Sequence, residues 1–177
     1  MRCQMEIRKL DRDAYAGRSF TARYETRGYY DIRKTAAGFD MEYRPFDRAV
    51  QKSFDDVFLG EWLDGPVAYG AFADERLAGF AEGFLEKWNN RFRISNICVF
   101  DGGERRRGVG TALMNALLGE ARAASARMAV LETQSCNENA IAFYRKCGFE
   151  IIGFDLYAYS NADPERHEIR LEMGLKL

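Results

Sequence analysis

Apolar positions along the chain change their period several times, and each change predicts an element. Gln4 to Lys9 alternates apolar with polar residues and predicts a strand. Asp11 or Asp13 is placed to cap a helix running to about Tyr24, and residues 25–52, rich in aromatics and arginines with little periodicity, read as loop or short helix. Phe54, Val57, Phe58, Trp62 and Leu63 fall at helical spacing before Gly65-Pro66. The texture then alters. Val67–Ala73, Leu77–Glu86 and Phe92–Phe100 predict three antiparallel strands, joined by turns at Asp74-Glu75 and at Trp88-Asn89-Asn90-Arg91. From Gly108 to Ala126, Leu113, Ala116, Leu117, Ala121 and Ala124 share one helical face. Met128–Leu131 is a short buried strand leading into Glu132-Thr133-Gln134. Asn137 or Asn139 caps a second helix that ends in Arg145-Lys146-Cys147-Gly148, and Phe149–Tyr159 and Glu168–Lys176 close the chain as strands. Hairpin-linked strands followed by strand, helix and strand predict a mixed α/β domain, one domain over residues 1–177.

Composition adds exclusions. Hydrophobic residues make up 47% and charged residues 30%, with a formal charge of −1, so no global field draws nucleic acid or a membrane surface. The N-terminal MRCQMEIRKL lacks the apolar core of a secretory leader, and no stretch approaches the ~20 apolar residues of a membrane span. Cys3, Cys98, Cys136 and Cys147 show no metal-binding spacing, so reduced thiols, no metal and a cytoplasmic location are expected.

Two motifs carry candidate chemistry. Residues 104–110, "ERRRGVG", gather Arg105, Arg106 and Arg107 ahead of Gly108 and Gly110 where a helix opens. Helix N-termini present unpaired N–H groups and partial positive charge, glycine lets the backbone approach an anion, and arginine grips phosphate oxygens. The combination suits a diphosphate, although a solvated basic turn has the same residues. No lysine follows the second glycine, as a P-loop requires, and Leu113 replaces the third small residue of a dinucleotide fingerprint. Farther on, Asn137, Ala140, Phe143-Tyr144 and Gly148-Phe149 form N-x-x-A-x-x-F-Y-x-x-x-G-F. Asn137 could be only a helix cap and Tyr144 only a core aromatic.

Together, R-x-x-G-x-G at 105–110 and this asparagine–tyrosine helix resemble the GNAT superfamily of N-acetyltransferases, over about residues 69–175. Within it, "YGAF" (69–72), "WNN" (88–90), "LETQ" (131–134), "YRKCGF" (144–149) and "GFDLYAY" (153–159) look like the streptothricin acetyltransferases. Cys136 and Asn139 depart from the asparagine and proline usual there.

The resemblance implies a central, mostly antiparallel twisted sheet, splayed between its fourth and fifth strands and flanked by helices, with acetyl-coenzyme A as cosubstrate. It further implies that Ile97, Cys98 and Val99 pair with the pantetheine arm and that Arg105 to Thr111, including Val109, hold the diphosphate. Asn137 would bond the pantetheine, and Tyr144 would protonate the departing thiolate. Glu82, interrupting an apolar strand, is the first candidate for the base, with Glu132 and Asp155 as alternatives. Trp88, Glu132 and Asp155 are candidate acceptor contacts, and the lone His167 reads as an incidental surface residue. Between Lys52 and Arg76 the chain has no cation but carries Asp55, Asp56, Glu61, Asp64, Asp74 and Glu75, which favours a cationic small-molecule amine. Acetylation of protein N-termini, lysines or polyamines stays open, as does a non-catalytic acetyl-coenzyme A sensor. Homodimers are common for this fold.

Overall fold

The computed structural model describes residues 5–100 and 108–177. Its elements in chain order are β1 (Met5–Lys9), α1 (Arg12–Tyr15), β2 (Ser19–Thr35), β3 (Gly38–Val57), β4 (Val67–Ala73), β5 (Arg76–Glu86), β6 (Arg91–Val99), α2 (Val109–Ala123), β7 (Met128–Gln134), α3 (Glu138–Lys146), β8 (Glu150–Asp155), α4 (Asp163–Arg166) and β9 (Arg170–Lys176). They form a mixed α/β fold with a mostly antiparallel sheet. The chain divides into two compact units, one of residues 1–22, 55–130 and 176–177, the other of residues 23–54 and 131–175.

In the first unit the strand order is β1-β4-β5-β6, with every neighbouring pair antiparallel. Asp74 and Glu75, both with positive φ (47° and 64°), make the two-residue turn that matches the twist of the β4–β5 hairpin. Helix α2 packs on β4, β5 and β6, burying Val109, Leu113, Met114, Leu117, Leu118 and Ala121 along one face. On the hydrophobic side Phe20, Phe58 and Phe80 meet with ring centroids 4.0–5.3 Å apart. This anchors Phe58 and Leu59, both at most 5% exposed, immediately after β3. In the second unit β8 and β9 run antiparallel, β9 follows β7 in the strand order, and α3 buries Ile141 and Tyr144.

Three expectations are corrected at the N-terminal end. The first helix stops at Tyr15, and residues 25–52 belong to the long strands β2 and β3, not to a loop. Phe20, Ala22, Thr26, Gly28 and Ile32 are buried at intervals of two or four, the period of a strand with one covered face. The helical spacing of Phe54, Val57 and Phe58 is coincidental, because β3 runs through Val57 and only turns follow it. With this hairpin inserted, the strands expected as fourth and fifth are β6 and β7. The short helix α4, opened by Asp163 and Pro164, was not expected.

Candidate active site

Glu82 lies on β5 and is 1% exposed. Its Oε2 accepts the Leu59 backbone N–H at 2.7 Å, and its Oε1 accepts Asn96 Nδ2 at 2.9 Å and Ser95 Oγ at 3.3 Å. No cation joins this set among the described residues. Burial pushes the carboxyl above its ordinary value, against the pull of these uncharged donors.

Two local irregularities build the cradle. Opposite Glu82, β6 carries one extra residue: Glu82 pairs with Asn96 but Gly83 pairs with Ile94. A bulge of this kind re-aims side chains, and here the consecutive Ser95 and Asn96 both reach the carboxylate. Leu59, for its part, holds φ at 49°, a costly conformation for a bulky residue, and its N–H is the third donor. Asn96 Nδ2 also donates to Asp56 Oδ2 at 3.1 Å, so one amide bridges two carboxylates.

The candidate cofactor segments of this unit adjoin the same strand pair. Ile97, Cys98 and Val99 follow Asn96 on β6, opposite Ala81, Phe80 and Gly79. Gly108 caps α2 with φ at 81°, a conformation that favours glycine, and no side chain caps the helix. Val109, Gly110 and Thr111 therefore begin a helix whose first N–H groups have no intrahelical acceptor, and no acidic residue sits in its first turn. Arg105, Arg106 and Arg107 lie outside the described residues. Trp88 is 84% exposed in the β5–β6 turn, six residues from Glu82 and on the order of 20 Å along the strand. It is not brought to the carboxylate.

In the second unit Asn137 caps α3, its side chain accepting the Ala140 N–H at 3.3 Å. Tyr144 lies two turns along the same helix, 7% exposed, its ring 6.3 Å from that of Phe149. Glu132 and Asp155 are both exposed and meet through Arg170, at 3.5 and 3.4 Å. This cationic partner sets them apart from Glu82. His167 is no bare surface residue: it stacks on Tyr29 with centroids 3.8 Å apart, and burial lowers its pKa. In the same unit, Tyr24 donates to Gln134 Oε1 at 2.5 Å and approaches the buried thiol of Cys136.

The acidic window between Lys52 and Arg76 is partly neutralised. Glu75 pairs with Arg8 at 2.7 Å and Asp64 with Lys87 at 2.8 Å. Asp55 and Asp56 instead accept from the uncharged Thr21 and Asn96. Cys98, Cys136 and Cys147 are free thiols. Among the described residues no helix is long and apolar enough to cross a membrane.

Asn96, Ser95 and Leu59 were missed in the sequence. A signal for the first two exists in "RFRISNICV". Phe92 and Ile94 keep one alternation, Ile97 and Val99 keep the other, and the phase slips at Ser95-Asn96. Nothing local in the sequence announces Leu59.

Comparison with known proteins agrees with this architecture. The sequence model of the Acetyltransferase (GNAT) family matches residues 35–149. A streptothricin acetyltransferase of Streptomyces lavendulae is 31% identical over 170 residues, 91% of this chain and 89% of the relative. The crystal structure of a nourseothricin acetyltransferase superposes with a TM-score of 0.78 at 28% identity, covering 97% of this chain and 98% of the other. A Bacillus anthracis structure in complex with acetyl coenzyme A superposes with a TM-score of 0.72 at 24% identity, covering 99% and 98%.

Proposed function

The chain belongs to the acetyltransferase (GNAT) family, and from that premise we propose that it moves the acetyl group of acetyl-coenzyme A to a primary amine of a cationic small molecule of the streptothricin type. The observation that carries the chemistry is Glu82, a buried carboxylate held, among the described residues, by uncharged donors beside the β6 segment Ile97–Val99. An alkyl ammonium with a pKa of ~10.4 is neutral in fewer than about one molecule in a thousand at neutral pH, so the reaction needs a proton acceptor. A carboxylate whose burial favours its protonated form is suited to that task.

Acetyl-coenzyme A supplies the thioester carbonyl that is attacked. Glu82 accepts a proton from the acceptor ammonium, and the freed nitrogen lone pair forms the new C–N bond. The Val99 N–H polarises the carbonyl as negative charge develops on its oxygen. As the C–S bond breaks, Tyr144 gives its phenolic proton to the thiolate, and the second proton shed by the acceptor nitrogen as it becomes an amide restores the Tyr144 phenol by way of solvent. Gly108, Val109, Gly110 and Thr111 offer backbone N–H groups to the diphosphate, Arg105 to Arg107 add charge, and Asn137 bonds the pantetheine. The whole chain serves as one acetyltransferase domain acting in the cytoplasm.

The acceptor class rests on the identity to the Streptomyces lavendulae relative along most of both chains. It rests also on the carboxylates of Asp55 and Asp56, which among the described residues accept from the uncharged Thr21 and Asn96. The test is thiol release from acetyl-coenzyme A across a panel of amines. Streptothricin should exceed a neutral-bodied monoamine in kcat/KM by at least about tenfold, with the margin falling as the Debye length shrinks to ~8 Å at physiological salt. No transfer to streptothricin, with robust transfer to a peptide N-terminus, would assign the chain to protein acetylation.

A further inference from the structure

Asn96 Nδ2 carries two hydrogens, and the two acceptors within its reach are both carboxylate oxygens: Glu82 Oε1 at 2.9 Å and Asp56 Oδ2 at 3.1 Å. We propose that Asp56 and Asn96 are positioning residues for Glu82, the amide of Asn96 tying the two acids into one proton-accepting pair. This rests on the reading of Glu82 as the base.

The groups that face Glu82 can be named element by element. From β3 comes Asp56, the charged group that acts on it; from the following segment, the Leu59 N–H. From β6 come Ser95 and Asn96, both uncharged, and from β4 its register partner Ala68. Asp56 is itself held, its Oδ1 accepting the Val57 N–H at 2.8 Å. Both neighbours act on Glu82: the charge on Asp56 favours a proton on it, and the amide hydrogen of Asn96 favours its ionised form. The two neighbours therefore push in opposite directions.

That opposition is the test. Asp56→Asn keeps the size and an acceptor oxygen but removes the charge, so the Glu82 carboxyl should titrate lower. Asn96→Leu removes the donor, so it should titrate higher. Each shift should be at least roughly half a pH unit. The titration is followed in the resting enzyme by the carboxyl carbon resonance of ¹³C-labelled Glu82, assigned by its loss in Glu82→Gln. The acid limb of kcat/KM for streptothricin is measured in parallel. Ser95→Ala, which removes a more distant donor, should give a smaller upward shift and serves if Asn96→Leu does not fold. Opposite shifts in the resonance support the pairing. If the resonance shifts and the rate limb stays, the pairing stands and Glu82 loses its role as base. An unchanged Glu82 titration in Asp56→Asn, or shifts of the same sign in both variants, overturns the pairing.

Discussion

Glu82 and Glu86 sit four residues apart on β5, both face partners from β6, and burial acts to raise the pKa of each. Their outcomes are opposite. Glu86 accepts Arg93 Nε at 2.5 Å and Arg91 Nε at 3.1 Å, and these guanidiniums outweigh burial and hold its carboxyl below the ordinary value. Glu82 has Ser95, Asn96 and the Leu59 N–H, and burial prevails. The backbone is shared and the residue type is identical, so the partners decide, together with the deeper burial of Glu82. The bulge at Ser95-Asn96 is the point where β6 changes from presenting cations to presenting neutral donors. A carboxylate locked in its charged form holds a fold together; one left free to take a proton can do chemistry.

The largest expected effect breaks the pair by charge. Glu82→Gln should lower kcat on the order of 10²–10⁴-fold, the range for losing a positioned acid or base. Glu86→Gln should leave kcat within about twofold, because no reacting atom depends on it. Thiol release under saturating substrates measures both, and an equal loss in the two variants would dissolve the distinction.

Tyr144→Phe sharpens the comparison from the second unit, removing a proton donor instead of an acceptor. It should lower kcat on the order of 10²-fold with little change in affinity for acetyl-coenzyme A, and should shift the alkaline limb of the rate profile. Unaltered turnover would leave Tyr144 as packing for Phe149. Gly110→Val then separates proton chemistry from cofactor binding. The added side chain at the start of α2 should raise the acetyl-coenzyme A dissociation constant by at least tenfold, about 1.4 kcal/mol, measured by calorimetry.

The smallest effects lie in stability, where the two glutamates should differ in sign with pH. The pKa of Glu86 is lowered on folding, so its contribution is present above the usual carboxylate value and lost as pH falls through the folded value. Glu86→Gln should therefore cost about 2 kcal/mol near neutral pH and progressively less in acid. The pKa of Glu82 is raised on folding, so its contribution is greatest below the unfolded value and declines as pH rises through the folded one. The stability of Glu82→Gln relative to wild type should accordingly improve as pH rises. Denaturant unfolding at several pH values checks both slopes.

Much of the fold was legible because its signals are local. The hairpin β4–β5, strand β6, helix α2 and the Asn137 cap each announce themselves through alternation, turn residues or helical spacing within a short window. The hairpin β2–β3 was not legible, for a physical reason. Its covered positions include Thr26 and Gly28 as well as Phe20 and Ile32, while Phe39, Met41 and Tyr43 are exposed, so hydrophobicity does not mark the covered face. Glu82 could be singled out because a carboxylate in an apolar strand is costly. Its cradle could not, since Leu59 and Asp56 arrive from more than twenty residues away and only the register slip at Ser95-Asn96 leaves a local trace.

The most direct test of the role given to Glu82 is the pH dependence of single-turnover acetyl transfer to streptothricin, from about pH 5 to about pH 9, in wild type and Glu82→Gln. The wild-type rate should fall on the acid side as a carboxyl with a raised pKa becomes protonated, and that limb should vanish in the variant along with most of the rate. An acid limb that survives unchanged in Glu82→Gln would contradict the account and move the proton acceptor elsewhere.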